Sequence, residues 1–101
     1  MLKTAIGFSM RAGKCTSGDF ACEKAVKANK AKVVILDKEA SEATRERYAF
    51  FCQKRGIDLV IIDELGETIG KEGRMVATVS DEKFASMISQ AYKESLTNQN
   101  S

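Results

Sequence analysis

The sequence of 101 residues has no histidine and no proline, and its three cysteines form no CxxC pair. Without histidine, the commonest general base is missing and a zinc site would lack one of its usual ligands. The absence of proline favours uninterrupted regular elements. No apolar run approaches the roughly 20 residues that span a bilayer, and the N-terminus lacks the apolar core of a signal peptide. We therefore expect a soluble, cytoplasmic protein with reduced thiols, no metal, no cofactor and no membrane partner.

What the sequence does contain is typical of one compact domain. Its apolar content is 44%, and chains well below this length usually need disulfides or metals to hold a core. No internal repeat, low-complexity tract or linker divides the chain. We predict a single domain over residues 1–96 and a frayed tail over residues 97–101, because the last residues, TNQNS, have nothing to pack.

Charge is distributed unevenly along the chain. The net charge is only +2, but residues 1–34 contain seven basic and two acidic side chains, and the remainder contains nine basic and twelve acidic ones. The first segment therefore carries +5 and the rest −3. This asymmetry favours an anionic partner that binds one face of the molecule. The alternative is that the lysines only solvate helix surfaces.

Apolar periodicity predicts alternating helices and strands. Helices are expected over residues 3–10, 19–28, 41–55, 65–69 and 81–96, and strands over 32–36, 58–62 and 75–79. Several strands are apolar throughout, so helices should cover both faces of the sheet. The fold class is therefore α/β, a three-layer α/β/α sandwich with a small mixed, largely parallel sheet.

Capping signals support the predicted second and third helices. Asp19 is a suitable N-cap for the second helix, and Asn29 could close it in a left-handed conformation. Ser41 should begin the third helix, and Gly56 should end it. The inward face of the second helix is predicted to consist of Phe20, Ala21, Ala25 and Ala28.

Two segments of the sequence have features in common with enzyme sites. Gly13-Lys14 resembles the end of a phosphate-binding P-loop, but Phe8 occupies the first glycine position and Cys15 follows the lysine. A nucleotide-hydrolysing site is therefore disfavoured. A thiol nucleophile in the basic segment, Cys15 or Cys22, would need activation by a lysine or a helix terminus, whereas packing explains Cys22 more simply. We predict that the protein is not an enzyme and has no catalytic residues.

Residues 18–36 resemble the kink-turn RNA-binding ribosomal proteins of the large-subunit ribosomal protein seven-Ae type. In that family a Gly-x-Asn-Glu-x-x-Lys motif starts a helix, and Gly18 and Lys24 match its ends. Residues 29–34 are similar to the family's Gly-x-Ala-Lys-Leu-Val stretch, and residues 65–72 to its Leu-Gly-x-x-x-Gly-x-Glu stretch. Residues 5–14 are similar to a bacterial branch of small ribosome-associated proteins.

The resemblance implies that the turn before the second helix and the loop before the last strand contact a kinked RNA internal loop. In the family, the Asn and Glu of the motif read sheared G·A pairs. Phe20 and Ala21 stand at those two positions here, so both polar readers are absent. We expect Phe20 to be buried, as aromatic residues early in an amphipathic helix usually are. The alternative is that it stacks on an extruded base.

We therefore predict a noncatalytic, monomeric RNA-binding protein, ribosomal or ribosome-associated, that recognises a kink-turn-like folded RNA through a basic edge. Its partners would be structured RNA, such as ribosomal RNA, and ribosomal proteins. The predicted RNA-binding residues are Lys14, Ser17, Gly18, Asp19, Phe20, Ala21, Lys24, Lys27, Lys71, Glu72, Gly73 and Arg74. Two rival functions remain open, a protein-interaction module without RNA affinity and a cysteine-dependent enzyme.

Overall fold

Five helices and four strands alternate along residues 1–99, which the computed structural model describes, with side chains described for residues 1–97. The elements are α1 (Leu2–Arg11), β1 (Cys15–Ser17), α2 (Asp19–Lys27), β2 (Val33–Asp37), α3 (Glu42–Arg55), β3 (Asp58–Ile62), α4 (Leu65–Ile69), β4 (Val76–Val79) and α5 (Glu82–Gln99). All of the predicted helices and strands are confirmed. The short strand β1 was not predicted, because three residues are too few to show a pattern of alternation.

The four strands form one mixed sheet in the order β1-β4-β2-β3. Strand β2 pairs in parallel with β3, whereas β4 is antiparallel to both β1 and β2. The predicted mixed sheet is confirmed, but the expectation that it is largely parallel is wrong, since only one of these three pairings is parallel. Burial of a strand on both faces indicates that helices cover the sheet, and it does not determine the direction of the neighbouring strand.

Helices cover both faces of the sheet, which confirms the three-layer architecture. Helices α1, α4 and α5 pack on one face, where Ile35 and Val60 contribute to the core. Helices α2 and α3 pack on the other face, where Val34 and Leu36 contribute. Successive residues of β2 thus enter opposite cores, as the two-residue period of a strand requires. The sheet positions α2 on its β1–β4 side, next to an edge of the sheet.

Three of the four predicted caps occur as expected, whereas Asp19 is the first residue of α2 and Gly18 is its N-cap. The Ser41 hydroxyl accepts a hydrogen bond from the Thr44 amide at 3.2 Å, and Gly56 ends α3 with φ of 68°. Asn29 follows α2 with φ of 59°, and its side-chain oxygen accepts a hydrogen bond from Arg55 at 2.7 Å. The contact between Asn29 and Arg55 ties the end of α2 to the end of α3.

The orientation of α2 about its axis differs from the prediction. Cys22 and Val26 are fully buried, whereas Phe20 is 86% exposed. Of the other residues expected to face inward, Ala21 and Ala25 are half-buried and Ala28 is exposed. The orientation is set by how α2 packs on the sheet. The Cys22 thiol lies 3.4 Å from the Thr16 carbonyl oxygen, so α2 rests on the sheet through its cysteine and valine.

Helix α5 continues to Gln99, three residues beyond the predicted end of the domain. The frayed tail over residues 97–101 stays a prediction. Residues 97–99 continue the helix, and the Thr97 hydroxyl donates to the Lys93 carbonyl oxygen at 3.0 Å. Residues 100–101 of that prediction lie outside the described part of the chain. Within residues 1–99, no helix combines the length and the apolar content needed to cross a membrane.

Candidate nucleic-acid interface

The turn between β1 and α2 depends on Gly18. This residue has φ of 96° and ψ of 144°, a conformation that is essentially restricted to glycine. Its amide donates to the Val76 carbonyl oxygen at 3.0 Å, so the turn is joined directly to the start of β4. The next three amides lie in the first turn of α2 and precede the first helical hydrogen bond, which the Cys22 amide donates to the Gly18 carbonyl oxygen.

The loop from residue 70 to 75 folds back on α4. The Lys71 amide donates to the Gly66 carbonyl oxygen at 2.8 Å, and Gly70 and Gly73 have positive φ values of 72° and 80°. A Cβ atom on Gly66 would lie only 2.8 Å from the Lys71 carbonyl oxygen and 3.2 Å from the Gly73 amide nitrogen. The loop therefore packs against α4 at a distance that only a glycine in the helix permits.

The turn and the loop meet through Arg74. Its guanidinium donates to the Ser17 carbonyl oxygen at 3.2 Å, and a Cβ atom added to Gly18 would collide with the same group. We call the surface formed by residues 17–21 and 70–75 the turn–loop edge. It joins two segments that are distant in the sequence, with Ser17 and Arg74 57 positions apart. It contains these predicted site residues: Ser17, Gly18, Asp19, Phe20, Ala21, Lys71, Glu72, Gly73 and Arg74.

The Asp19 side chain remains exposed at the surface and is bound there by residues of α3. Its two carboxylate oxygens accept hydrogen bonds from the Arg47 guanidinium at 2.8 and 2.7 Å, and the buried Tyr48 hydroxyl donates to the same carboxylate at 2.8 Å. These partners, Arg47 first, hold the pKa of the Asp19 carboxyl below its usual range. Arg47 also bonds Glu23 at 2.7 Å. The contacts orient the start of α2 and offset the negative charge there.

Two lysines at or near the turn–loop edge have no intramolecular anion. Lys24 lies one helical turn after Phe20, and Lys71 is the first residue of the loop after Gly70. Both are exposed, and neither belongs to an ion pair within the described part of the chain. Their ammonium groups are therefore available to an external anion.

The two other predicted lysines lie elsewhere. The Lys14 carbonyl oxygen accepts from the Ser80 amide, at the opposite end of β1 from Gly18, roughly 13 Å along the strand. The Lys27 ammonium is 3.0 Å from the Glu23 carboxylate and 5.8 Å from the centre of the Phe51 ring. Lys27 therefore lies against a ring of α3 and is paired with a carboxylate of its own helix.

Some residues that shape the interface were not identified from the sequence. Asp37, at the end of β2, accepts hydrogen bonds from the Glu39 and Leu65 amides, both at 2.8 Å, and so fixes the start of α4. An aspartate directly after a buried strand is a signal that could have revealed it. Arg47 and Tyr48 offered no such signal, because their partner Asp19 lies 28 or 29 residues away.

The thiols are poorly suited to nucleophilic chemistry. Burial raises the pKa of Cys22 to about 12 and the pKa of Cys52 to about 11. Burial also raises the pKa of Cys15, although the nearby Lys71 charge opposes this change. A reactive cysteine needs a lowered pKa, so these environments act in the wrong direction. Within residues 1–97, no three potential metal-ligating side chains are grouped so that they could hold an ion.

Comparison with known sequences identifies relatives. The family model described as "Ribosomal protein L7Ae/L30e/S12e/Gadd45 family" matches residues 1–89. A curated relative, the RNA-binding protein YlxQ of Bacillus subtilis (strain 168), is 31% identical over 86 residues. The match covers 82% of this chain and 86% of that relative.

Solved structures show the same fold. A protein with unknown function from Bacillus halodurans C superposes with a TM-score of 0.86 at 25% identity, over 91% of this chain and 96% of that one. A Giardia lamblia 15.5kD RNA binding protein superposes with a TM-score of 0.75 at 18% identity, over 92% of this chain and 85% of that one. At 18% identity the second match demonstrates similarity of fold alone.

Proposed function

Because the chain belongs to the ribosomal protein L7Ae/L30e/S12e/Gadd45 family, we propose that it is a noncatalytic protein that binds a folded RNA through the turn–loop edge. The bound RNA would be a kinked internal loop of the kink-turn type, in ribosomal or ribosome-linked RNA. The RNA-binding relative, which is similar over most of both chains, supports this assignment.

The observation that carries the proposal is the contact between Arg74 and the Ser17–Gly18 peptide. It joins a glycine turn at the start of a helix to a loop that contains Lys71. A bent strand of RNA that lies across both segments would meet amide groups on one side and cationic side chains on the other. Phosphate oxygens accept hydrogen bonds from both kinds of donor.

Lys24, Lys71 and Arg74 have different roles in this proposal. Lys24 and Lys71 are exposed and would bind phosphates directly. The Arg74 guanidinium already donates to Ser17, so it would support the turn with one nitrogen and leave its remaining donors to the RNA. Asp19 would act indirectly, because its carboxylate is bound by Arg47 and Tyr48.

A salt titration tests the proposed face. An RNA hairpin that contains a kink-turn internal loop is titrated at several salt concentrations with the unmodified protein and with Lys24→Ala, Lys71→Ala and Lys93→Ala variants. Each lost phosphate contact should lower the slope of log affinity against log salt by about 0.7 to 0.9. We expect this change for Lys24→Ala and Lys71→Ala, with weaker binding in both.

Lys93→Ala is the matched control, since Lys93 is an exposed lysine on α5, outside the turn–loop edge. It should bind like the unmodified protein. If the unmodified protein gives no shift with this RNA at low salt, the proposed function is wrong and a protein-interaction module is favoured. If both edge variants bind normally, RNA binding stands but the proposed face is wrong.

Two further measurements test the narrower parts of the proposal. An RNA in which the sheared G·A pairs of the loop are replaced by Watson–Crick pairs should bind more weakly if the kink is recognised. Association with ribosomes is tested by sedimentation of cell extracts before and after a high-salt wash. A protein held by phosphate contacts should sediment with ribosomal RNA at low salt and be released at high salt.

A further inference from the structure

Phe20 presents an unusually open aromatic ring at the turn–loop edge. Its exposed fraction is 86%, compared with 59% for Phe50 and 47% for Phe8. A cation lies over each of the other two rings, Lys54 at 5.7 Å from the Phe50 centre and Arg11 at 5.1 Å from the Phe8 centre. Among the side chains that the structure describes, Phe20 has no aromatic or cationic neighbour of this kind. Its ring is therefore free to accept a planar ligand.

The exposure of Phe20 is imposed by the orientation of α2. Cys22 and Val26 hold the opposite side of the helix in the core, and the Asp19 carboxylate is bound to Arg47 of α3. The helix cannot roll to bury the ring without breaking these contacts. Single exposed apolar side chains are common on protein surfaces, so the position of this ring at the turn–loop edge, beside an unpaired lysine, is what points to an external contact.

We propose that Phe20 is a stacking platform for an unstacked nucleobase of the bound RNA. The inference rests on the proposed RNA-binding function. It adds that the edge recognises an unstacked base as well as phosphates. The base would lie on the Phe20 ring, and Lys24, one helical turn away on the same side of α2, would bind a neighbouring phosphate.

The chemistry around Phe20 determines what this contact can select. A phenyl ring offers no hydrogen bond, and the neighbouring Ala21 side chain offers none either. Stacking on such a ring accepts every base, since each has a π-face. The contact therefore selects a nucleotide that is extruded from its helix, whatever its identity.

The charges around the ring favour RNA over a protein partner. Lys24 and Lys71 lack intramolecular anions within the described chain, and Arg74 also borders the turn. Of the carboxylates on α2, that of Asp19 is bound by Arg47 and that of Glu23 by Arg47 and Lys27. An aromatic ring on an edge that also carries unpaired cations suits a base attached to a phosphate chain better than it suits an apolar protein surface.

Variants of the ring test the proposal with the same kink-turn hairpin. Phe20→Leu should bind roughly 5- to 150-fold more weakly, the range expected for loss of one base–aromatic stack. Phe20→Trp should bind as well as the unmodified protein or better, because the larger ring also stacks. Phe50→Leu is the matched control, an exposed phenylalanine on α3, and should leave the affinity unchanged. The salt dependence should stay the same in Phe20→Leu, since no phosphate contact is lost.

Changes in the RNA identify the stacked base. Each unpaired nucleotide of the loop is replaced in turn by an abasic residue, and at one position this change should weaken binding to the unmodified protein but not to Phe20→Leu. A 2-aminopurine at that position should be quenched on binding by the unmodified protein and not by Phe20→Leu.

The outcomes separate this inference from the proposed function. If the hairpin binds in a salt-dependent manner but Phe20→Leu binds as tightly as the unmodified protein, stacking is wrong and the RNA-binding function stands. Stacking is also wrong if Phe20→Leu weakens binding by the same factor with every abasic RNA, because removal of the stacked base should abolish the effect of the substitution. If the unmodified protein does not bind the hairpin at any salt concentration, the proposed function itself fails.

Discussion

Gly18 is the residue on which the geometry of the turn–loop edge depends most directly. Its φ of 96° lies where an L side chain is strained, and its missing side chain leaves space for the Arg74 guanidinium. The backbone conformation favours glycine at this position, and a side chain here would also displace the Arg74 guanidinium from its contact with the turn. The turn that begins α2 and the contact that joins the two halves of the edge share this one residue.

Replacement of Gly18 by alanine should destabilise the protein, whereas the same replacement of Gly7 should not. We predict that Gly18→Ala lowers the free energy of unfolding by about 1 to 3 kcal/mol, measured by urea denaturation. Gly7→Ala is the control, because Gly7 is helical and a Cβ atom there would meet neighbours only at 3.7 Å or more. It should raise the stability by up to about 1 kcal/mol. Equal effects of the two substitutions would contradict the conformational argument.

At the scale of elements, α2 and α3 are tied together at both ends. Asp19 bonds Arg47 near the start of α2, and Asn29 bonds Arg55 near its end. Between them, Lys27 lies over the Phe51 ring. These contacts determine how α2 presents its outer side, and they therefore set the direction of Phe20. A contact within the protein thus controls a residue that we propose to contact RNA.

The Asp19–Arg47 pair should make stability depend on acid pH. Because Arg47 lowers the folded-state pKa of Asp19, the pair contributes fully above the unfolded pKa of about 3.9 and is lost as the pH falls through the folded pKa. At neutral pH, Asp19→Asn should be less stable by about 0.2 to 1 kcal/mol, as is usual for a solvent-exposed ion pair. Urea unfolding should show this difference shrinking as the pH is lowered towards about 2.

A double-variant comparison isolates the pair from other carboxylates. Arg47→Leu should remove the same acid-dependent contribution, so that adding Asp19→Asn to it has a smaller effect than Asp19→Asn alone. A difference between unmodified and Asp19→Asn protein that is constant across the pH range would show that the ion pair does not cause it.

At the scale of the whole molecule, the packing of helices on the sheet protects the cysteine thiols from solvent. Cys22 and Cys52 lie in the core between the sheet and the α2–α3 layer, and Cys15 lies half-buried in edge strand β1. Burial raises the pKa of all three thiols. Their reaction with a thiol reagent therefore requires the protein to open, and the edge of the sheet opens more readily than the core.

Thiol labelling should report this difference in protection. In the folded protein near neutral pH, we expect Cys15 to react first and Cys22 and Cys52 to react only as fast as the protein unfolds, with all three reacting rapidly in concentrated urea. Labelling is followed by mass spectrometry, and a Cys15→Ser variant should lack the first phase. Rapid labelling of Cys22 in the folded protein would contradict the packing of α2 on the sheet.

Elements with strong local signals were predictable from the sequence. Ser41 and Gly56 delimit α3 by their own chemistry, and Asn29 ends α2 in the left-handed conformation that its short polar side chain tolerates. The strands β2 and β3 were also predictable, because burial on both faces of a sheet produces an uninterrupted apolar run in the sequence. Of the candidate site, the glycine turn and the loop before β4 were both identified.

The sequence by itself thus determined the five helices, the three longer strands and the caps of α3, because these outcomes depend on residues within a few positions of one another. Only the tertiary structure decided that β1 joins the sheet, that Phe20 faces outward, and that Arg74 reaches the Gly18 turn. Each of these depends on a contact between segments far apart in the chain. The direction in which a helix faces is set by the surface on which it packs, and no local pattern contains that surface.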